Sequence, residues 1–355
     1  MNRAAAPAGF LAHEGALGAT YTRMSANEAS DLLYRGFKVE GRLSPLATEK
    51  DDTFRVDASD GRRYVFKIAN PSENPLEIDF QIELLLHVAT VDANIPVPRL
   101  IHNVDGRTSF TKVDRAGQRR CVRLMSYLDG MPLDSTGSTA QERFRVGQVL
   151  GRLRHATAGF SHPADSRVLA WDVKHLPSLR PLLDQVDDAT RRKKLAQGMD
   201  RFAGLQDRLS PLRTQVLHND FSKSNIVVDH ADPKFVTGII DFGDAVRTAV
   251  AIDVSTALLN QLPRNAAEVL VEDLFADARD VLRGYLSVAE LTEAELQLIP
   301  HLVMGRVLGR ALITLWRAKL FPENSAYVIR NTEQGWAQLD WFLRRSVDEL
   351  SSILV

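Results

Sequence analysis

The rhythm of apolar and polar positions changes part-way along the chain. Residues 53–58 (TFRVDA) and 62–68 (RRYVFKI) alternate about Ser59-Asp60-Gly61, which predicts a β-hairpin. A second alternating pair, within SFTKVDRAGQRRCVRLMSYL, turns at Ala116-Gly117. NIPVPRLI reads as the approach to another strand. Two helices interrupt this strand-rich region. One is predicted over about 26–35, where Ser25 and Glu28 have capping-box spacing. The other follows Asn74, with Pro75 at its first position and Glu77 three residues after the cap. Beyond LDGMPLDSTGSTAQ the period lengthens to that of helices, through AQERFRVGQVLGRLRHATAGF, LRPLLDQV and ATRRKKLAQGMDRFAGLQDRL. Short β-branched runs return at residues 226–228 and 235–240. After them DVSTALLNQL, AAEVLVEDLFADARDVLRGYL, IPHLVMGRVLGRALITLWRAKL and EQGWAQLDWFLRRSVDEL are all helical in pattern.

This pattern predicts an α+β protein of two lobes. A flexible tail (1–24) precedes a small strand-rich lobe (25–126), and a larger, mainly helical lobe spans 127–355. A connector is expected near residues 126–135, and a cleft between lobes is a favoured ligand site. The bulk numbers change little. The chain has 355 residues, 45% of them hydrophobic and 25% charged, an ordinary globular composition. A net charge of -1 gives no nucleic-acid footprint. The single cysteine, Cys121, permits no intrachain disulfide and fits the cytoplasm. Its strand-like setting predicts a buried structural thiol. Arg3 and the alanines after it faintly resemble a signal sequence, but Pro7, His13 and Glu14 interrupt any apolar stretch. No apolar run approaches the ~18 residues of a membrane span, so no membrane partner is expected.

The candidate chemistry lies in VLHNDFSKSNIVVD and, after a turn marked by Asp232-Pro233, in GIIDFGDAV. Phosphoryl transfer needs a carboxylate at the attacking hydroxyl, oxygen ligands for Mg²⁺ and a cation on the phosphates. Asp220 supplies the first. The carboxamide of Asn225 and the carboxylate of Asp241 are hard oxygen donors suited to Mg²⁺. A hairpin between them would bring Asp241 back beside Asn225. Asp220 and Asn225 could otherwise simply cap turns, and His218 is expected to brace the backbone.

His-x-Asp-x4-Asn followed by an Asp at a strand end resembles the catalytic and metal-binding loops of kinases. More narrowly, the chain resembles the aminoglycoside phosphotransferase and choline kinase superfamily, in its hydroxylysine-kinase-like branch. The likeness rests on DFQIELLLHVATVDANIPVPRL, RLMSYLDGMPL, LGRLRHATAGFSHPA, LHNDFSKSNIVV, GIIDFGDAV and LWRAKLFPEN, over about residues 30 to 335. It implies a protein-kinase-like fold, with ATP and Mg²⁺ as cofactors. It makes Lys67 the phosphate-binding lysine, held by a group on the helix after Asn74. No acid stands out there. Glu77 is assigned to the cap, and Gln81 shares the apolar face of Leu84, Leu85 and Val88. Gln81 is therefore the expected partner, with Glu83 the other choice. No Gly-rich loop covers the phosphates, and Lys50 or backbone amides are left for that task. Asn219 stands where the superfamily often has glycine; Asn tolerates the left-handed conformation.

Main-chain groups of Ser126 and Leu128 are the candidates for holding adenine, unless that segment is a plain strand exit. For the acceptor, Asp244 offers a third carboxylate. Trp171 and Asp172 suit an ammonium group, or else form a core aromatic and a helix cap. Arg310 and Arg317, seven apart, could bind a carboxylate or pair with surface acids. Asp253, only 12 residues after Asp241, leaves little room for a peptide-docking segment. The expected activity is a small-molecule kinase acting on an amine-bearing alcohol. A nucleotide-binding protein without turnover, an aminoglycoside kinase and a protein kinase are the alternatives.

Overall fold

The computed structural model of the chain describes residues 21–46, 48, 51–263, 271–322, 325, 329 and 332–355. Lys50 and most of the tail expected over 1–24 lie outside them. The small lobe opens with α1 (Ala26–Phe37), where the Ser25 hydroxyl accepts from Glu28 N at 3.3 Å. Glu28 does not close the box; its side chain accepts from Arg115 N at 2.8 Å. Strands β1 (Gly41–Pro45), β2 (Asp52–Ala58) and β3 (Arg63–Ile68) precede α2 (Pro75–Val91). Strands β4 (Leu100–Ile101), β5 (Phe110–Val113) and β6 (Arg119–Ser126) complete an antiparallel sheet. Its order is β1-β2-β3-β6-β4, with β5 also on β6. The register sets Lys67 between Thr53 and Arg123.

Helix α2 is apolar on two sides. Phe80, Leu84, Leu85 and Val88 join the core of the large lobe. Ile78 and Ile82 pack with Ala69 of the small lobe. The helix is therefore seated against both lobes.

The large lobe contains β7 (Met131–Pro132) and α3 (Ala140–Thr157), the latter started by a complete Thr139–Glu142 capping box. Residues 179–186 were expected to be α-helical by pattern. They belong instead to a 3-10 stretch, Val173–Gln185, in which Pro177 and Pro181 have no amide hydrogen to donate. Helices α4 (Ala189–Ala203) and α5 (Gln206–Leu209) lead to four short strands. These are β8 (Thr214–Leu217), β9 (Ile226–Val228), β10 (Val236–Ile239) and β11 (Val246–Ala249). They pair as β10-β9-β7 and β11-β8. Helices α6 (Val250–Leu259), α7 (Ala276–Leu286) and α8 (Glu293–Leu320) fill the core. The helical pattern over 333–350 divides into α9 (Glu333–Leu343) and α10 (Val347–Ser351), because Ser346 caps a new helix with Glu349. By length and composition α8 could cross a membrane, but 89% of its most apolar window is buried in this core.

Helices α3 and α7 cross with backbone contact. A Cβ on Gly284 would land on the Phe144 carbonyl, and one on Gly147 on the Val281 carbonyl. Overpacking of this kind costs ~1–3 kcal/mol. Gly284→Ala is expected to lower the urea midpoint by a corresponding amount; an unchanged midpoint would show that the crossing is not tight.

Candidate active site

The loop between β8 and β9 carries His218, Asp220 and Asn225, and the β9–β10 hairpin returns the chain to it. Ile239 pairs with Ile226, and Ile240 N donates to Asn225 O at 2.9 Å. Asp241 therefore follows directly beside the end of the loop. The hairpin expected from the sequence supplies this juxtaposition.

The loop is held from several sides. His218 Nε2 lies 3.0 Å from Ile240 O, and its Nδ1 accepts from Asp220 N at 3.3 Å, a pattern that places the ring proton on Nε2. Its ring packs on Phe242 and Phe221. Asn219 has φ +60, and its N–H donates to Asp253 Oδ1 at 2.7 Å. Arg306 of α8 donates to Asn219 O at 2.9 Å and also to Trp171 O. Asn225 donates its amide hydrogens to Asp220 O at 3.0 Å and to Asp220 Oδ2 at 2.7 Å.

That last pair fixes which atoms face the cleft. With its NH₂ spent on Asp220, the Asn225 carbonyl oxygen is turned away and left for another partner. Asp241 is exposed, again with φ +60, and its Oδ1 accepts from Gly243 N at 3.2 Å. A carboxamide oxygen and a carboxylate fit Mg²⁺, which takes one or two protein oxygens and completes its shell with phosphates and water.

Burial pushes the half-buried Asp220 up, and the Asp244 carboxylate pushes it further. Arg306 opposes both, Asp241 adds to the rise, and the Asn225 hydrogen bond opposes it. The result is a carboxyl raised to about 7. Burial likewise raises Asp253, against His218, the Asn219 amide and Arg306.

Lys67 is 2.8 Å from Asp51 Oδ2, not beside Gln81. Gln81 does face inward, but its Oε1 accepts from Arg123, at 2.9 Å, the neighbour of Lys67 across the sheet. Glu83 is exposed. Burial would raise Asp51, but the Lys67 charge and hydrogen bond, together with the Asn70 amide, outweigh it and hold the carboxyl below its ordinary value. Glu77 is not consumed by the helix cap either. Asn74 alone caps Leu76 N, and Glu77 pairs with Arg167 at 2.7 Å.

The other expected site residues divide. The Ser126 amide is committed to Arg99 O at 2.8 Å and its hydroxyl accepts from Arg99 N at 2.9 Å, so that amide is not offered to a base. Leu128 is half-buried in the connector. Asp244, half-buried, joins Asp220 through the electrostatics above. Asp172 is fully buried; it caps Lys174 N, accepts from Thr248 and pairs with Lys174 Nζ at 2.9 Å. The cap alternative holds for it. Trp171 is half-buried, with its carbonyl on Arg306. Arg310 donates to Gln338 at 3.0 Å, and Arg317 is half-buried further along α8. The arginine of α8 that reaches the Asn219 turn is Arg306, one helical turn before Arg310. Sequence reasoning missed Arg306, Asp51 and Arg167. A buried-face arginine in the longest described helix was the one available signal.

The phosphotransferase enzyme family matches residues 42–291 of the chain. The chain is 25% identical to hydroxylysine kinase of Mus musculus over 341 residues, covering 89% of this chain and 88% of the relative. It is 25% identical to homoserine kinase of Zymomonas mobilis over 344 residues, covering 94% and 99%. The structure of a microcompartment-associated aminopropanol kinase superposes with a TM-score of 0.71 at 21% identity, covering 90% of this chain and 98% of that one. That likeness establishes the protein-kinase-like fold.

The raised carboxyl of Asp220 has a stability consequence. Its folded value, about 7, exceeds the ordinary 3.8, so the folded state binds the proton more tightly and gains stability as pH falls through 7 towards 4. Asp220→Asn, neutral throughout, is expected to melt higher than the unsubstituted protein at about pH 8 and to lose that advantage by about pH 5. A constant difference in melting temperature across this range would contradict the assignment.

Proposed function

The chain belongs to the phosphotransferase enzyme family, and on that footing we propose that it phosphorylates the hydroxyl of a small amine-bearing metabolite, using ATP and Mg²⁺. The acceptor class is an amino alcohol or hydroxy amino acid of the hydroxylysine kind. The observation that carries the proposal is the Asn225–Asp220 clamp, which occupies the carboxamide NH₂ and one carboxylate oxygen and leaves the other oxygen of each side chain outside that bond. Kinases acting on hydroxylysine and homoserine among the relatives support the acceptor class.

In this proposal residues 25–126 bind the nucleotide and 127–355 bind the acceptor. Asp220 Oδ1, free of the Asn225 amide, orients the acceptor hydroxyl and takes its proton. Asn225 Oδ1 and Asp241 would hold Mg²⁺, Lys67 would hold nucleotide phosphates, and the Leu128 backbone would meet the base. When bound, the metal and nucleotide supply the phosphoryl group and neutralise its charge. Lys67 would exchange Asp51 for phosphate oxygens, because both are anions within reach of one flexible ammonium. Asp244 acts electrostatically on Asp220, and its side chain has no hydrogen bond or ion pair among the described residues, so it is the group assigned to the acceptor's ammonium. Most of the acceleration would come from positioning and electrostatics.

The alternative, a nucleotide-binding protein without turnover, draws on the missing Gly-rich loop and on the lack of an evident helix acid for Lys67; the Asp51 pairing with Lys67 answers only the second. A protein acceptor is disfavoured by the short path from Asp241 to α6, which contains only the 3-10 turn 242–244 and β11.

The test is ADP release against hydroxylysine, homoserine, aminopropanol, choline, ethanolamine and kanamycin. Turnover of an amine-bearing alcohol is expected, and Asp220→Asn should reduce kcat by about 10²–10⁴-fold. Silence across the panel in a protein that binds Mg-ATP would overturn the proposed activity.

A further inference from the structure

Glu77 lies in the first turn of α2, on the small-lobe side of the cleft. Its carboxylate is 2.7 Å from Arg167 Nη1, and both side chains are largely buried, at 16% and 10% exposure. Arg167 belongs to the large lobe, between α3 and the 3-10 stretch. Its guanidinium also lies 5.6 Å from the ring centre of Phe80, a second residue of α2. The remaining donors turn the other way. Nε and Nη2 donate to Ala245 O at 3.2 and 2.8 Å, and Nη2 also donates to Gly243 O. One arginine is thus held by the small-lobe helix and grips two carbonyls immediately after Asp241.

The grip falls where the backbone needs it. Asp241 has φ +60, a left-handed conformation in which a non-glycine Cβ crowds the following carbonyl. The 3-10 turn Phe242–Asp244 follows at once. Such a conformation persists only where its surroundings fix it. Charge-assisted bonds from a buried guanidinium are strong fixings. Meanwhile Lys67 is paired with Asp51, the residue just before β2. Glu77 of α2 is therefore not taken by the lysine and pairs with Arg167.

We propose that Glu77 and Arg167 are a positioning pair: through them the seating of α2 sets the loop that presents Asp241 to the metal. The proposal rests on the metal role assigned to Asp241 above. It makes metal binding depend on the alignment of the two lobes, while the lysine anchor does not.

The experiment is a Mg²⁺ titration of the thermal stabilisation given by ADP, for the unsubstituted protein, Arg167→Met, Glu77→Gln and the double variant. Arg167→Met is expected to raise the Mg²⁺ concentration at half effect by about tenfold or more, as loss of a residue supporting a metal ligand does. Glu77→Gln, the milder change, should raise it less. The double variant should be no worse than Arg167→Met alone, because the two act through one contact. Stabilisation by ADP without metal should stay as in the unsubstituted protein, which a general loss of packing would not allow. Unchanged Mg²⁺ midpoints, additive effects, or equal loss with and without metal would overturn the pair. So would the absence of any Mg²⁺ effect in the unsubstituted protein. Mg²⁺ midpoints shifted in the variants as expected, with no turnover of any acceptor by the unsubstituted protein, would instead count against the proposed activity alone.

Discussion

The Asn219 backbone is gripped on both sides, its N–H by the buried carboxylate of Asp253 at 2.7 Å and its carbonyl by Arg306 at 2.9 Å. Asp253 stands on α6 and Arg306 on α8, two helices of the large core. Neither group is well placed there on its own. Burial raises the Asp253 carboxyl, and a buried guanidinium needs acceptors. The turn at Asn219 supplies what both lack, and in exchange is held with φ +60. Leaving a buried polar group without its hydrogen-bond partner costs about 1–3 kcal/mol, and more where the group is charged. The aim of Asp220 is thereby built into the stability of the lobe. Asn225 and Asp241 then follow from the short hairpin attached to that turn.

The same arrangement produces the electrostatics. Asp220, Asp241 and Asp244 gather three carboxylates in one place, and Arg306 opposes only part of their mutual repulsion. A site of this kind is incomplete without cations. Mg²⁺ and an ammonium group are the two that a kinase of amine-bearing alcohols would bring.

What the sequence made legible was local. His218, Asp220, Asn225 and Asp241 lie within one loop and one hairpin, so spacing and turn residues were enough to bring them together. The hairpin at Asp60-Gly61 and the cap at Asn74 were legible for the same reason. What was missed depends on register and on contacts across the chain. The apolar stripe of α2 correctly turned Gln81 inward, but strand pairing put Arg123 next to Lys67, and Arg123 took the amide. Asp51 and Asp52 are neighbours that part company: one meets Lys67, the other the fully buried Arg120 at 2.8 Å. Nothing in the composition of the segment distinguishes them. Glu77 and Arg167 are 90 residues apart, and a helix-cap assignment concealed the first. Arg306 and Arg310 share a face of α8, and only the packing of the turn at Asn219 decides between them.

The central claim is that Asn225 and Asp241 hold the metal while Asp220 is left for the acceptor. A crystal structure with Mn²⁺ in place of Mg²⁺ and a non-hydrolysable ATP analogue, located by anomalous scattering, tests it most directly. The account predicts a metal peak at an oxygen-ligand distance, ~2.0–2.2 Å, from both Asn225 Oδ1 and Asp241, with Asp220 Oδ2 still bound to the Asn225 amide. A metal held by Asp220 or Asp244 in place of Asn225 would contradict it.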